Sequence, residues 1–545
     1  MKFFINSSFN QKNSGIEHAQ LKRAKLFRDH GEAFKMIFRE WNPRLHRYLN
    51  DVGVADNEIL SMFDFFQDAE QVEDKIVHAQ DLRFGVRNVI HFKDEEKHLY
   101  NVQTNTNQLV ARVHYYTEED DNERVSMVEI FDAFGNLYRV DNYDFRGFLS
   151  LTQWYTPDNK IGTEVWYDVH GKPVLESFNR YNTKKEYKKE GWRLTFGKAI
   201  YIFPTIDELM KHFYNLINEK YWSDTALNVF ILDRTHLGDW SVLELDRPVY
   251  TVLHLHNSHA GDAQDTMHSV MNNFYEYGLT NINRYDAVVS ATQKQTCDVM
   301  ARFKPQTKCF TIPVGIIPDA VFDLPRVPMA ERDQHSVVMT CRVAPEKNVG
   351  LVARSIGLAK AMIPDINLTV YGYIDHRDND AAKKAIDAAI EEFDLQDAVK
   401  LYDYTNDVAS VQRKGQVYAL ASVMEGFNLS LMEAQSNGMV SVTYDVNYGP
   451  NDLVVDQENG YVIPFNEGFS WQETDQMVEA MAEKFVELFS DADKLQAMSD
   501  KAFELSDRFS EANVWAAWQE LLTDANEKAF HYVPQTQYGL KENGE

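Results

Sequence analysis

Cysteine is scarce in this chain: Cys297, Cys309 and Cys341 are the three in 545 residues. They are widely spread and match no metal-ligand spacing, which argues against a disulfide framework and for a reducing compartment. Long apolar runs are missing too. No segment approaches the roughly 20 residues of a membrane-spanning helix, so at most peripheral membrane contact is expected. Positive charge is the third shortage: 55 Lys and Arg stand against 83 Asp and Glu, a formal net charge of −28. Such a protein repels a phosphate backbone, which argues against general nucleic-acid binding and still allows a local basic patch for an anionic acceptor. The opening MKFFINSSFNQKN has one Lys and a short apolar run before it turns polar, and reads as a first strand rather than a signal peptide. A soluble cytoplasmic protein is expected. What is present is ordinary for globular chains, 44% hydrophobic and 25% charged, with aromatics at 13% leaning toward sheet and carbohydrate contacts. The length suits two or three domains, each with its own core.

The stretch from Tyr418 to Gly449 organises the rest. Val417 to Ser422 is a short apolar run, broken at Glu425-Gly426-Phe427-Asn428. A helical pattern follows from about Leu429 to Asn437, then Gly438 and a second apolar run, Met439 to Tyr444. This is strand, loop, helix, strand, with the loop at the helix N-terminus, where free N–H groups and the helix dipole attract phosphate. Glu425 in the loop and Glu433 in the helix flank that junction, and a carboxylate is a bidentate acceptor suited to a vicinal diol of ribose or hexose. The pattern points to a nucleotide or sugar-phosphate crevice at the carboxyl end of a parallel sheet.

Taken in order, the chain opens with a strand at Lys2 to Asn6 and a helix at Gly15 to His30. Gly15 serves either as an ordinary helix-start glycine or as a place where backbone approaches a ligand. From about Phe65 the pattern changes to short alternating runs, with hairpin turns at 131–136, 158–160, 167–172 and 182–185. An antiparallel meander inserted into an α/β domain is the natural reading. Its run Lys184, Lys185, Lys188, Lys189 and Arg193 is either a contact for a polyanionic acceptor or a charged turn keeping the sheet soluble. The α/β rhythm resumes at Asn228, and strands are expected at Val249 to His256, Tyr285 to Ser290 and Phe310 to Val314. His256-Asn257-Ser258-His259 lacks a third metal ligand nearby, and His256 reads instead as a hydrogen-bonding imidazole.

A second α/β unit starts at Ser336 to Cys341. Arg342 and Lys347 follow at once, across a turn broken by Pro345, and two cations there would neutralise a diphosphate leaving group. Further strands are expected at Leu368 to Tyr371, Val399 to Tyr402, Val417 to Ser422 and Val440 to Tyr444. Tyr402 to Asn406 is expected to border a base. From Trp471 to Leu522 the pattern is helical throughout, with a last helix at Glu511 to Ala525 and a polar tail past Phe530.

E-x7-E with Gly-Phe-x-Leu, R-x-x-P-E-K after the strand at 336, and Ser14-Gly15-Ile16-Glu17-His18-Ala19-Gln20 together resemble the retaining GT-B glycosyltransferases of family 4. Within that family the layout with its inserted meander is similar to the wall teichoic acid α-glycosyltransferases, including the poly(glycerol-phosphate) type. It is similar also to the transferases that add N-acetylglucosamine to serine-rich adhesins with a homologous partner. The resemblance implies an α/β protein of the GT-B fold: two Rossmann-like domains facing a cleft, with an antiparallel β-meander inserted. The expected segments are 1–65 and 223–318 for the N-terminal Rossmann-like domain, 66–222 for the meander, 319–510 for the nucleotide-sugar domain, and 511–545 for a helix returning to the N-terminal domain. It implies hexose transfer (glucose or N-acetylglucosamine) from a UDP-sugar to a polyol-phosphate teichoic acid, with retention. Ser/Thr of a serine-rich adhesin is the alternative acceptor. Arg342 and Lys347 would hold the diphosphate and Glu433 the ribose. Glu425, with the amides of Gly426, Phe427, Asn428 and Leu429, would hold the sugar and β-phosphate, and Gly15 and His256 would complete the site. Asn428 stands where many relatives have glycine or serine. No metal or other cofactor is expected, and assembly as a homo-oligomer through the meander is. A catalytically dead subunit on the same fold would have no need to keep Glu425, Glu433, Arg342 and Lys347 together.

Overall fold

The computed structural model describes residues 1–118, 122–464 and 475–539. The chain divides into two compact units. One comprises Met1–Glu17, Gly31–Thr251 and the residues from Ala529 on; the other comprises His18–His30 and Val252–Lys528. Among the described residues no helix is long and apolar enough to cross a membrane.

The first unit holds two sheets. In one, the strands Val229–Leu232, Lys2–Asn6, Phe34–Phe38 and Ile59–Ser61 lie side by side in that order, all parallel. They are short apolar runs buried on both faces, as a parallel sheet requires. The other is a ten-stranded antiparallel meander from Ile90–Asp94 to Ala199–Phe203, in which every strand pairs with its neighbour in sequence. The turns at 132–136, 168–172 and 182–186 close on themselves: Asp132, Asp168 and Asn182 each accept two backbone N–H groups through a side-chain oxygen. That Asx chemistry was the signal for the meander in the sequence.

The second unit contains, in parallel, the strand Tyr250–Leu255 from Val252 on, Ala287–Ser290 and Lys308–Thr311. Its other sheet has six parallel strands in the order Val399–Tyr402, Asn367–Tyr371, Ser336–Thr340, Val417–Leu420, Val440–Tyr444, Gly460–Ile463. The order runs outward one way from Ser336–Thr340 and then the other way from Val417–Leu420. The loops leaving these two central strands therefore diverge, and the crevice between them is where such sheets bind ligands.

Three expectations needed correction. The strand expected at Phe310 to Val314 is Lys308–Thr311, because Pro313 has no N–H to extend a ladder. The stretch expected to be helical throughout is, from Asp475 on, three helices, Asp475–Phe489, Ala492–Ser506 and Glu511–Gly539; its start at 471–474 lies outside the described residues. The last helix also runs past Phe530, where a polar tail was expected, since each residue added to an existing helix gains a hydrogen bond without a new nucleation cost. Its Trp515 and Trp518 meet Phe27 edge-on at 5.5 Å each, and Arg23 lies over Trp518.

A buried polar network joins the meander to the Rossmann-like part of the first unit. His46 donates to Asp56 at 2.7 Å and to Asp64 at 2.9 Å. Asp64 also accepts from Arg146 at 3.1 Å, and Arg146, in a meander turn, is clamped by Asp144 at 2.7 Å. Burial alone would lower the His46 pKa, but the two carboxylates more than offset it and bring it up from 6.5 to about 8. A folded-state pKa above the unfolded value stabilises the fold fully below about pH 6.5, and the contribution is lost as pH rises through about 8. A shift of this size corresponds to about 2 kcal/mol. Thermal midpoints measured at pH 6 and pH 9 should show this loss, and His46→Gln should be less stable at pH 6 and lack that component of the slope. Equal slopes in the two proteins would remove the network from the account.

Candidate active site

The loops leaving Ser336–Thr340 and Val417–Leu420 bring their charged residues together. Lys347 Nζ lies 2.5 Å from Glu425 Oε1, with both side chains largely buried. Burial works against the lysine's charge, and Glu425 more than offsets it, so the pKa of Lys347 lies above its ordinary value. Arg342 donates to Asp375 at 2.7 Å and also to Glu346. Glu346, the acid of the R-x-x-P-E-K run, fixes the second loop as well, because its carbonyl oxygen accepts the Val423 N–H at 3.0 Å.

The Glu425 to Leu429 loop is defined by its backbone. Glu425 forms an isolated parallel bridge with Tyr448, and its carbonyl oxygen also accepts the Gly449 N–H at 3.2 Å. Gly426 packs directly on the backbone of His256 and Asn257; a Cβ there would run into the His256 carbonyl oxygen and lie 2.8 Å from Asn257 Cα. The glycine is thus required by the chain's own close approach. Phe427 is buried and meets Phe509 edge-on at 5.5 Å, which leaves only its backbone to the site. Asn428 has φ +81° and caps the helix Leu429–Ser436, its Oδ1 accepting the Leu431 N–H at 2.8 Å. This left-handed backbone explains why glycine suits the position, and asparagine tolerates it while supplying the cap.

Glu433, in the second turn of that helix, pairs with Lys22 at 2.7 Å, and Lys22 also donates to the Ile316 carbonyl oxygen at 3.2 Å. The rings of His256 and His254 lie 4.2 Å apart. The backbone N–H groups of His256 and Asn257 both donate to the Tyr275 hydroxyl at 3.1 Å. His259 is separate: buried, its pKa pushed down to about 4 by desolvation, with Nε2 on the Thr266 carbonyl oxygen and Nδ1 facing the Tyr448 hydroxyl. Gly15 starts its helix, and a Cβ there would meet no atom of the described residues within 4 Å. Tyr402 stacks on Tyr371 at 4.8 Å and, with Thr405 and Asp407, lines a trough of about 710 Å³ on the sheet face.

Sequence reasoning did not reach Lys22, Asp375 or Arg377. Lys22 had a usable signal, since it falls two turns after Gly15 on the same helix face. Asp375 and Arg377 follow the strand Asn367–Tyr371, a position at the carboxyl end of the sheet that merited the same attention as Arg342.

Residues 325–504, which carry both charged motifs, match the family described as glycosyl transferases group 1. With the sheets described above and its structural neighbours, the protein is a glycosyltransferase of the GT-B fold. Two individual relatives and one solved structure narrow the comparison. The UDP-N-acetylglucosamine–peptide N-acetylglucosaminyltransferase GtfA subunit of Streptococcus gordonii is 26% identical over 534 residues, which is 96% of this chain and 98% of the relative. The poly(glycerol-phosphate) alpha-glucosyltransferase of Bacillus subtilis is 24% identical over 527 residues, 95% of this chain and 74% of the relative. The crystal structure of the pneumococcal O-GlcNAc transferase GtfA in complex with UDP and GlcNAc has a TM-score of 0.79 at 22% identity, covering 96% of this chain and 98% of that one.

Because Gly426 is wedged against backbone, Gly426→Ala should separate the Glu425 loop from the His256 segment. The expected loss is about 1–3 kcal/mol of stability, the usual range for overpacking, together with most of the transfer activity. Thermal melting and a turnover assay on the same preparation check this; a variant that melts and turns over like the parent would refute the packing.

Proposed function

We propose that the protein transfers N-acetylglucosamine or another hexose from a UDP-sugar to the hydroxyl of a Ser/Thr-rich polypeptide, with retention of anomeric configuration. The observation that carries the donor half is the Lys347–Glu425 pair where the strand order reverses, with Arg342 on the same loop as Lys347. There the diphosphate would take Arg342 and Lys347, the ribose Glu433, and the sugar Glu425 with the amides of Gly426 to Leu429. In the reaction the bond from C1 to the β-phosphate oxygen breaks and UDP leaves with the electron pair, its charge stabilised by the two cations. The acceptor oxygen bonds C1 from the same face and its proton passes to the departing phosphate, so no covalent nucleophile is assigned. The assignment of Gly15 and His256 to the sugar and phosphate rests on the family resemblance alone. The protein cations supply the charge, and no metal is assigned to the step.

The acceptor half is supported by the relatives and by charge. The Streptococcus gordonii relative is named a peptide transferase subunit and matches over nearly the whole of both chains. The meander's basic run is largely neutralised: Lys188 pairs with Glu186, Lys189 with Glu164 and Arg193 with Glu176. Little net positive charge is left there for a polyanion. The word subunit in that relative's name also supports assembly with a homologous partner, and a homo-oligomer through the meander is the alternative. A teichoic acid acceptor is the second reading. It is favoured by the Bacillus subtilis relative and by Lys184 and Lys185, which have no ion pair among the described residues.

Transfer from UDP-glucose and UDP-N-acetylglucosamine should be measured with a Ser/Thr-rich peptide and, in parallel, with teichoic acid polymer, with and without any co-purifying chain. Peptide as the acceptor supports the first reading, and transfer to the polymer by the lone protein replaces it with the second. Arg342→Ala and Glu433→Ala should each lower transfer by roughly 100-fold or more with unchanged melting; retained turnover would overturn the donor assignment. Gly15→Ala is a clean probe, since among the described residues nothing crowds that position. Its fold should be unaffected and its donor KM raised about tenfold, a cost of about 1.4 kcal/mol.

A further inference from the structure

The arginine expected to receive the diphosphate does not stand alone. Arg342 and Arg377 share the same two carboxylates: Arg342 bonds Asp375 and Glu346, while Arg377 bonds Asp375 at 2.8 Å through Nε and Glu346 at 2.9 Å through a terminal nitrogen. Asp375 is largely buried, with a side chain 10% exposed, and the Arg377 N–H also donates to its second oxygen at 3.0 Å. Arg377 is itself the more exposed arginine, at 56% against 35% for Arg342. The four side chains close a ring of two cations and two anions with no net charge.

Such a ring resists the binding it is placed to perform. A diphosphate must draw Arg342 away from its carboxylates, and leaving a buried carboxylate without a counter-charge is strongly unfavourable. Arg377 removes that obstacle because it already touches both acids. We infer that Arg377 is a positioning residue of the donor site: it retains Asp375 and Glu346 when Arg342 turns to the diphosphate of the nucleotide sugar. The inference rests on the proposed assignment of Arg342 to that diphosphate. Arg377 itself touches no reacting atom.

Without Arg377, Arg342 is the sole arginine for two acids and is held more tightly. Arg377→Ala is therefore expected to raise the donor KM about tenfold with little change in kcat, and to weaken UDP binding measured by calorimetry to the same degree. Arg377→Lys, which keeps the charge and loses the fork, should recover part of the loss. The decisive variant is Arg377→Ala combined with Asp375→Asn. Removing the competing negative charge should restore donor affinity toward the parent, whereas a purely structural ring would be damaged further by a second deletion. An unchanged KM in Arg377→Ala, or a double variant worse than the single one, overturns the inference. Failure of the underlying donor reading looks different: Arg342→Ala would then bind UDP and turn over like the parent.

Discussion

The site depends on one constraint, the reversal of strand order between Ser336–Thr340 and Val417–Leu420. Two neighbouring parallel strands whose following loops run in opposite directions leave a gap that neither loop fills. Here the gap is bridged by an ion pair, Lys347 with Glu425, and by a single backbone bond from Val423 to Glu346. A largely buried ion pair is a poor source of stability, since desolvating both charges costs about as much as their attraction returns. Its place in the fold agrees with the proposed roles of the two charges, since a ligand bearing a diphosphate and a hydroxylated sugar presents a partner to each of them.

The same logic extends outward. Each side chain assigned to the donor already has a partner of opposite charge within the chain: Arg342 has Asp375 and Glu346, Lys347 has Glu425, and Glu433 has Lys22. On a protein of net charge −28 this self-pairing is a physical necessity, because unpaired cations in a half-buried crevice would be attracted to the surrounding acids. Donor binding is then an exchange of partners. Under the proposed assignment, the affinity gained is the difference between two sets of charge-assisted hydrogen bonds, and residues such as Arg377 that do not meet the donor contribute to it.

Much of the fold was legible in the sequence because its signals are local. The parallel strands are short buried apolar runs, the meander declares itself through Asx turns at Asp132, Asp168 and Asn182, and Gly438, at φ +76°, follows the end of the helix bearing Glu433. The positions of Glu425, Glu433, Arg342 and Lys347 at strand and helix ends were legible for the same reason. Partnership was not. Lys22 and Glu433 are 411 residues apart, and no periodicity within the helix Gly15–Asp29 reveals which acid its lysine will meet. Gly426 shows the same limit from the other side. The resemblance implied only a backbone amide there for the sugar and β-phosphate, while the structure adds a requirement that only tertiary contact reveals, the backbone of His256 and Asn257 pressed against it.

Charge also bears on the acceptor. A run of lysines in sequence counts as a basic patch only if its charges remain uncompensated, and an antiparallel sheet places cross-strand neighbours within ion-pair reach. Glu176 stands directly opposite Arg193 in the ladder. Glu164, one strand further on, accepts Lys189, which also lies over the rings of Trp166 and Trp192. Lys189 and Arg193 are therefore spent on these acids and on the two tryptophans, while Lys184 and Lys185 have no ion pair among the described residues. What remains is a surface of mixed charge, in keeping with a neutral, hydroxyl-bearing polypeptide more than with a polymer carrying one phosphate per repeat.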